Sequence, residues 1–204
     1  FASLGIAVGV IALIVVLSVM NGLQQQYIES LLETTSFHIR ARVKEGDLDI
    51  FTNNLRQNRL VRSVIPFMET NLLVQGQEGR QNVLRVMWID SEDLVLDFGY
   101  CRALNIPPSA AAKSLEEGII LGSEAAHILG VSEGSMLTLR GAYVDTEEGI
   151  QQYSERVKVS SLFRSGYYEL DAALAIMPRQ KAKNLENFPA STILGIKMIN
   201  AENA

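Results

Sequence analysis

The side chains that could do chemistry in this chain are few and scattered. Asp145, Glu147 and Glu148, in "YVDTEEGIQQY", lie close enough in sequence to pair as a general acid and base, but their polar, turn-forming neighbours describe a solvated loop tip equally well. His38, in "SFHIRARV", and His127, in "SEAAHILG", each lack a second His or Cys at metal-ligand spacing. Cys101, in "FGYCRAL", has no base beside it and is expected to be a small packing residue; as the single cysteine it also excludes an internal disulfide. No Gly is followed by Lys, so the phosphate loop Gly-x4-Gly-Lys-Ser/Thr is absent and the chain is no ATPase of that class. The expectation is a protein with no catalytic residues, no cofactor and no metal.

If no chemistry is encoded, the elements carry the information. Residues 1–23 are almost wholly apolar, and the first charged side chain is Glu29. At ~1.5 Å per residue, roughly twenty helical residues cross a hydrocarbon layer of about 30 Å, so the run is long enough for one span. It has no Lys or Arg ahead of it and no small-residue cleavage site, so it reads as an uncleaved anchor rather than a signal peptide. A buried helix of a soluble protein seldom stays uncharged on every face for so long. Val16, Met20, Leu23, Tyr27 and Leu31 recur at spacings of three and four, which predicts that one helical face continues beyond the membrane. Asn21-Gly22 is the competing signal, for a kink at the lipid boundary. Ala2, Gly5, Gly9 and Ala12 form a small-residue stripe that lets another helix approach, although plain packing in a bundle explains such a stripe as well.

The charge sits in the rest of the 204 residues, with a net value of -5, which argues against a nucleic-acid or anionic-lipid surface. The reading is a transmembrane helix and stalk over 1–33 and a core domain over 34–204, part of something longer and truncated at its C-terminus. Alternation predicts a strand over 36–43, and Asp47 caps a helix with Ile50, Phe51 and Leu55 inward. Strands over 62–76 and 80–90 flank a Gly-bearing turn, with Pro66 marking an edge or an irregularity. Residues 91–114 are uninformative, with a loop at Pro107-Pro108. Then come strand 119–121, helix 123–129 ending at Gly130, a turn at Glu133-Gly134 and strand 136–139. Strands over 156–163 and 170–178, a short helix from 179 and a last strand over 191–200 complete an α+β pattern of mixed strands and short helices.

Three blocks carry a resemblance. "GIAVGVIALIVVLSVMNGL" resembles the first transmembrane segment of the permease subunits of lipoprotein-releasing ABC transporters, the LolC and LolE type, within the MacB/FtsX-like superfamily. "GIILGSEAAHILGVSEGSMLTL" and "VKVSSLFRSGYYELDAALAIMPRQKAKNL" are similar to successive blocks of that superfamily's periplasmic core domain. The resemblance implies an inner-membrane permease whose bulk lies in the periplasm, with a second permease subunit in a homo- or heterodimer and ATP hydrolysis in separate cytoplasmic subunits. It implies extraction of lipoprotein cargo and its transfer to a periplasmic carrier. Val16, Val19, Met20, Leu23 and Tyr27 would then touch acyl chains, an apolar and adaptable wall suited to a ligand that offers area and no hydrogen bonds.

Family members that recruit the carrier have a proline-rich hairpin; here "GAYVDTEEGIQQYSER" has no proline and an acidic tip. That departure fits either the partner subunit without a hook or a version whose carrier has a basic or apolar mouth; in the second case Tyr143, Val144, Asp145, Glu147, Glu148, Ile150 and Tyr153 would form the partner-facing hairpin and present an edge. The alternatives are a MacB-like efflux or mechanotransmission permease, an FtsX-like regulator, or a membrane-anchored binding module without ATP.

Overall fold

A computed structural model describes residues 2–145, 149–183 and 191–199. Helix α1 (Ala2–Leu31) is unbroken through Asn21-Gly22, so the competing kink does not occur. Its β-branched residues are poor helix formers in water, but in hydrocarbon a helix is what satisfies every backbone group within one segment. Ser3–Ser36 carries an 18-residue stretch of mean hydropathy 2.7, none of it buried in the protein. A π-helical turn, Leu32–Ser36, follows. There the Thr34 and Thr35 hydroxyls donate back to the Ser30 and Leu31 carbonyls at 2.7 and 3.5 Å, a bonding pattern that loosens the regular helical ladder. Phe37 ends it with φ of 54°, a left-handed conformation that a bulky residue adopts only when its surroundings hold it there.

The core domain is one sheet with order β1-β8-β2-β3-β7-β4-β6-β5. The strands are β1 (Ile39–Arg42), β2 (Val61–Gln75), β3 (Gln81–Ile89), β4 (Ile119–Gly122), β5 (Met136–Asp145), β6 (Gly149–Phe163), β7 (Leu174–Pro178) and β8 (Ile193–Met198). β5 also pairs with β2 through Leu73↔Arg140, Val74↔Leu139 and Gln75↔Thr138, so six strands close into a ring. Alternate residues fill that ring: Leu72 and Val74, Leu84, Val86 and Trp88, Ile119 and Leu121, Leu137 and Leu139, Val157 and Val159, Ala175 and Met177. Trp88 places its indole N–H on Thr70 Oγ1 at 2.8 Å, which satisfies the polar end of an otherwise apolar side chain. Helix α6 (Ser123–Leu129) packs Ala125, Ala126 and Leu129 on the same cluster and exits through Gly130 at φ 67°.

The other face of β2, β3 and β7 is covered by three short helices, α3 (Ser91–Leu96), α4 (Phe98–Ala103) and α5 (Pro108–Glu117), over a second core that includes Phe67, Met87, Ile89, Tyr100, Leu115 and Ile176. Helix α2 (Leu48–Arg56) sets Leu48 against Val64, Leu194, Ile196 and Met198 in a third. Helices α7 (Tyr168–Ala173) and α8 (Arg179–Lys183) flank β7.

The α+β expectation holds, with corrections to individual elements. Residues 91–114 are mostly helical: short helices of one or two turns carry little periodicity, although Pro108 at the first helical position of α5 is a start signal. Residues 170–173 are helix rather than strand: Leu170 and Asp171 are buried, and the Asp171 carboxylate accepts from the Ser165 amide and hydroxyl in the turn before the helix. Ile50 and Phe51 face outward; the inward stripe of α2 is Leu48, Thr52 and the half-buried Leu55, spaced four and three apart. Asp47 stands at the cap position but makes no capping bond. The strand over 36–43 is confined to Ile39–Arg42, and those over 136–139 and 156–163 extend into a longer hairpin.

Candidate functional site

Along α1, Val16, Val19, Met20 and Leu23 are all exposed, and an added Cβ at Gly5 or Gly9 would meet nothing within 4 Å. Ala12 is exposed too. The apolar face and the Gly5, Gly9 and Ala12 positions of the small-residue stripe are therefore uncovered by the rest of the described chain. Contact with the core domain begins at Tyr27, whose ring lies 5.1 Å from that of Tyr167 at 55°. Tyr27, Leu31 and Thr35 line a recess of about 200 Å³ together with Arg85, Leu170 and Leu174 of the core domain.

Above that recess the stalk is locked by charge. Lys197, on β8, is fully buried, with Nζ 2.9 Å from Glu33 Oε2 and 2.7 Å from Asp97 Oδ2. The same ammonium lies 5.4 Å from the Phe37 ring centroid and 5.3 Å from that of Tyr100, where the negative ring faces attract it. Asp97 caps α4: Oδ1 accepts from the Tyr100 amide at 2.9 Å and Oδ2 from the Ser63 hydroxyl at 2.7 Å. Burial opposes the charge on Asp97, but Lys197, Ser63 and the Tyr100 amide outweigh it and hold its pKa below the ordinary carboxylate value. Arg62 is the second partner of Glu33. Fit is as tight as charge: a Cβ on Gly99 would come within 2.2 Å of the Glu33 carboxylate, and one on Gly195 within 2.6 Å of the Phe37 ring. The π-turn, β8 and the α3–α4 junction thus meet at one point, through groups that are costly to separate.

Sequence reading missed this joint. Lys197 sits in "ILGIKMIN", where Leu194, Ile196 and Met198 claim one face of the strand. A lysine interrupting the other face was the available signal. Asp97 lies in the uninformative segment, and nothing local in the sequence around Glu33 marks it out.

His38 belongs to the same joint: its Nδ1 accepts the Met198 amide N–H at 2.9 Å. Burial and the nearby Arg62 guanidinium hold its pKa below the ordinary histidine value. The folded state therefore binds fewer protons here than the unfolded one, whose histidine titrates near 6.5. This contribution to stability is complete above about pH 6.5 and is lost as pH falls through the folded pKa. The thermal midpoint should fall between pH 7 and pH 5, and His38→Asn, which keeps an acceptor without titrating, should flatten that slope. Burial pushes the Cys101 thiol up to about 11, leaving it protonated and unreactive, in keeping with a packing role. Among the described residues no group of three or more His, Cys, Asp and Glu could hold a metal ion.

β5 and β6 form the expected hairpin, paired through Gly141↔Tyr153, Tyr143↔Gln151, Val144↔Ile150 and Asp145↔Gly149. Glu147 and Glu148 lie outside the described residues. An open cleft of about 620 Å³ lies at the hairpin root, lined by Asn71, Leu73, Val83, Arg140, Gly141, Ala142, Gln152 and Ser154.

The chain thus joins an apolar helix long enough to cross a membrane to an α+β domain built on a closed ring of strands. The chain belongs to the MacB-like periplasmic core domain family, whose sequence profile matches residues 1–197. It is 27% identical over 205 residues to the lipoprotein-releasing system transmembrane protein LolC of Xylella fastidiosa, covering 98% of this chain and 49% of that one. Against LolC of Neisseria meningitidis the identity is 31% over 209 residues, with 98% and 49% covered. Against LolE of Haemophilus influenzae it is 26% over 212, with 97% and 49%. The chain thus spans about half the length of the curated relatives it matches. Among solved structures, the extracellular domain of the ABC-type transporter YknZ gives a TM-score of 0.47 at 12% identity, covering 79% of this chain and 76% of that one. The resemblance to LolC/LolE-type permeases of the MacB/FtsX-like superfamily is therefore borne out across nearly the whole chain.

Proposed function

We propose that this chain is the first span and core domain of a permease subunit that extracts lipoproteins from the inner membrane and passes them to a periplasmic carrier. The division falls near residue 33, with the stalk before it and the core domain after it. The observation that carries the reading is the continuity of α1: one helix runs from an exposed apolar face at Val16, Met20 and Leu23 to a joint locked by Lys197. Acyl chains need an apolar wall, and work done by an ATPase across the membrane needs a stiff connection to the domain above. The similarity to LolC and LolE supports both parts.

In this reading Ala2, Gly5, Gly9 and Ala12 receive a helix of a second permease subunit, homo- or heterodimeric, and cytoplasmic ATPase subunits hydrolyse the nucleotide. The hairpin and the cleft at its root receive the carrier, and Asp145, Glu147 and Glu148 steer a basic mouth toward it. Reversing those three charges to Lys should slow carrier association at low salt while the fold is kept. The full-length permease, reconstituted with its ATPase in liposomes containing a triacylated lipoprotein, should transfer that lipoprotein to added carrier only when ATP is supplied. ATP-independent transfer, or transfer of soluble substrates alone, would overturn the proposal.

A further inference from the structure

The turn between β6 and α7, "RSGYYE", is fixed in place by its own hydrogen bonds. The Ser165 amide and hydroxyl both donate to Asp171 Oδ1, at 2.8 and 2.7 Å, and the Tyr167 amide donates to Ser165 Oγ at 3.1 Å. Gly166, at φ 88°, supplies the left-handed corner that this closure requires. Tyr167 is spent on the stalk, ring to ring with Tyr27. Its neighbour Tyr168 is left 62% exposed, with the exposed side chains of Arg164 and Glu169 on the same turn.

The height of that turn follows from helix geometry. The apolar run of α1 ends at Leu23, and Gln24, Gln25 and Gln26 follow it. Tyr27 is four residues further, so it stands about 6 Å above the end of the hydrocarbon-compatible segment. The polar layers of a bilayer add about 5–7 Å on each side of the hydrocarbon, which puts Tyr27 within them. The ring contact brings Tyr167 to the same level, and chain connectivity brings Tyr168 with it. An exposed tyrosine on a rigid turn at that height has the pattern of an interfacial anchor: its ring gains by leaving water and its hydroxyl keeps polar partners.

We infer that the turn 164–169 rests in the headgroup layer of the leaflet from which α1 emerges, with the Tyr168 ring among the headgroups and the Arg164 guanidinium within reach of their phosphates. The core domain is then seated on the membrane through a second point beside the stalk. Motion of α1 turns the domain against that seat instead of swinging it free.

The inference rests on α1 being a span, so the test separates the two. The full-length permease is placed in nanodiscs as wild type, Tyr168→Trp and Val16→Trp, with lipids carrying a nitroxide either on the headgroup or within the acyl chain. Within these 204 residues the one tryptophan is Trp88, buried inside the ring of strands, and the emission of the wild-type permease is the baseline from which each variant's added emission is read. Tyr168→Trp should add blue-shifted emission that the headgroup nitroxide removes, and Val16→Trp should add emission that the acyl-chain nitroxide removes. Tyr168→Trp emission untouched by the headgroup nitroxide, with Val16→Trp quenched, overturns the seat and leaves the span standing. Val16→Trp emission untouched by either lipid overturns the span and the seat with it.

Discussion

Replacing Lys197 with Met should lower the unfolding free energy of the core domain by about 3–5 kcal/mol, because it strands the buried Asp97 carboxylate in a site built for a cation and takes one of the two cationic partners of Glu33. The methionine fills most of the lysine volume, so the loss measures charge more than packing. Asp97, only 2% exposed, suffers most, whereas Glu33 keeps Arg62. Asp97→Asn should also destabilise, and the double variant should lose clearly less than the sum of the two, since the second change removes the charge that the first left uncompensated. Urea unfolding followed by Trp88 fluorescence reads all three. A loss under about 1 kcal/mol for Lys197→Met would reduce the network to the worth of a surface pair.

That joint also shows where sequence reading stops. The helix at 123–129, Gly130 at its exit and the turn at Gly134 were legible because each is specified locally, by a periodic run and by a glycine that must take positive φ. The long apolar run was legible because hydrocarbon demands length and the absence of charge. The ring of strands was not, since the closing β2–β5 pairing joins segments more than sixty residues apart and depends on twist and stagger rather than local pattern. Nor was the triad of Glu33, Asp97 and Lys197, whose members come from three separate elements and only acquire meaning once burial raises the cost of each charge. The short helices between Ser91 and Glu117 escaped for a related reason. A helix of six residues has barely two turns in which to show a period, and its stability comes from the sheet beneath it.

The larger functional effect is expected at Met20. Met20→Asp should abolish lipoprotein release while leaving membrane insertion intact. A carboxylate at the centre of a span costs about 2.5–3.5 kcal/mol on insertion scales, and less near the polar end where Met20 sits, so the long apolar run still inserts. On the path itself the same group presents charge and bound water to acyl chains that can pair with neither. Met20→Leu, which keeps apolar area, should retain most of the release activity. Release by Met20→Asp at the wild-type rate would remove this face of α1 from the lipid path.

The central claim is that the exposed face of α1 holds lipoprotein acyl chains on their way out of the membrane. A photoreactive residue at position 20 of the full-length permease, irradiated in spheroplasts, tests it most directly. Adducts with lipoprotein should form without ATP and fade once ATP drives release, with the same behaviour at positions 16 and 23 on the same face. No lipoprotein adduct at any of the three positions would contradict the account.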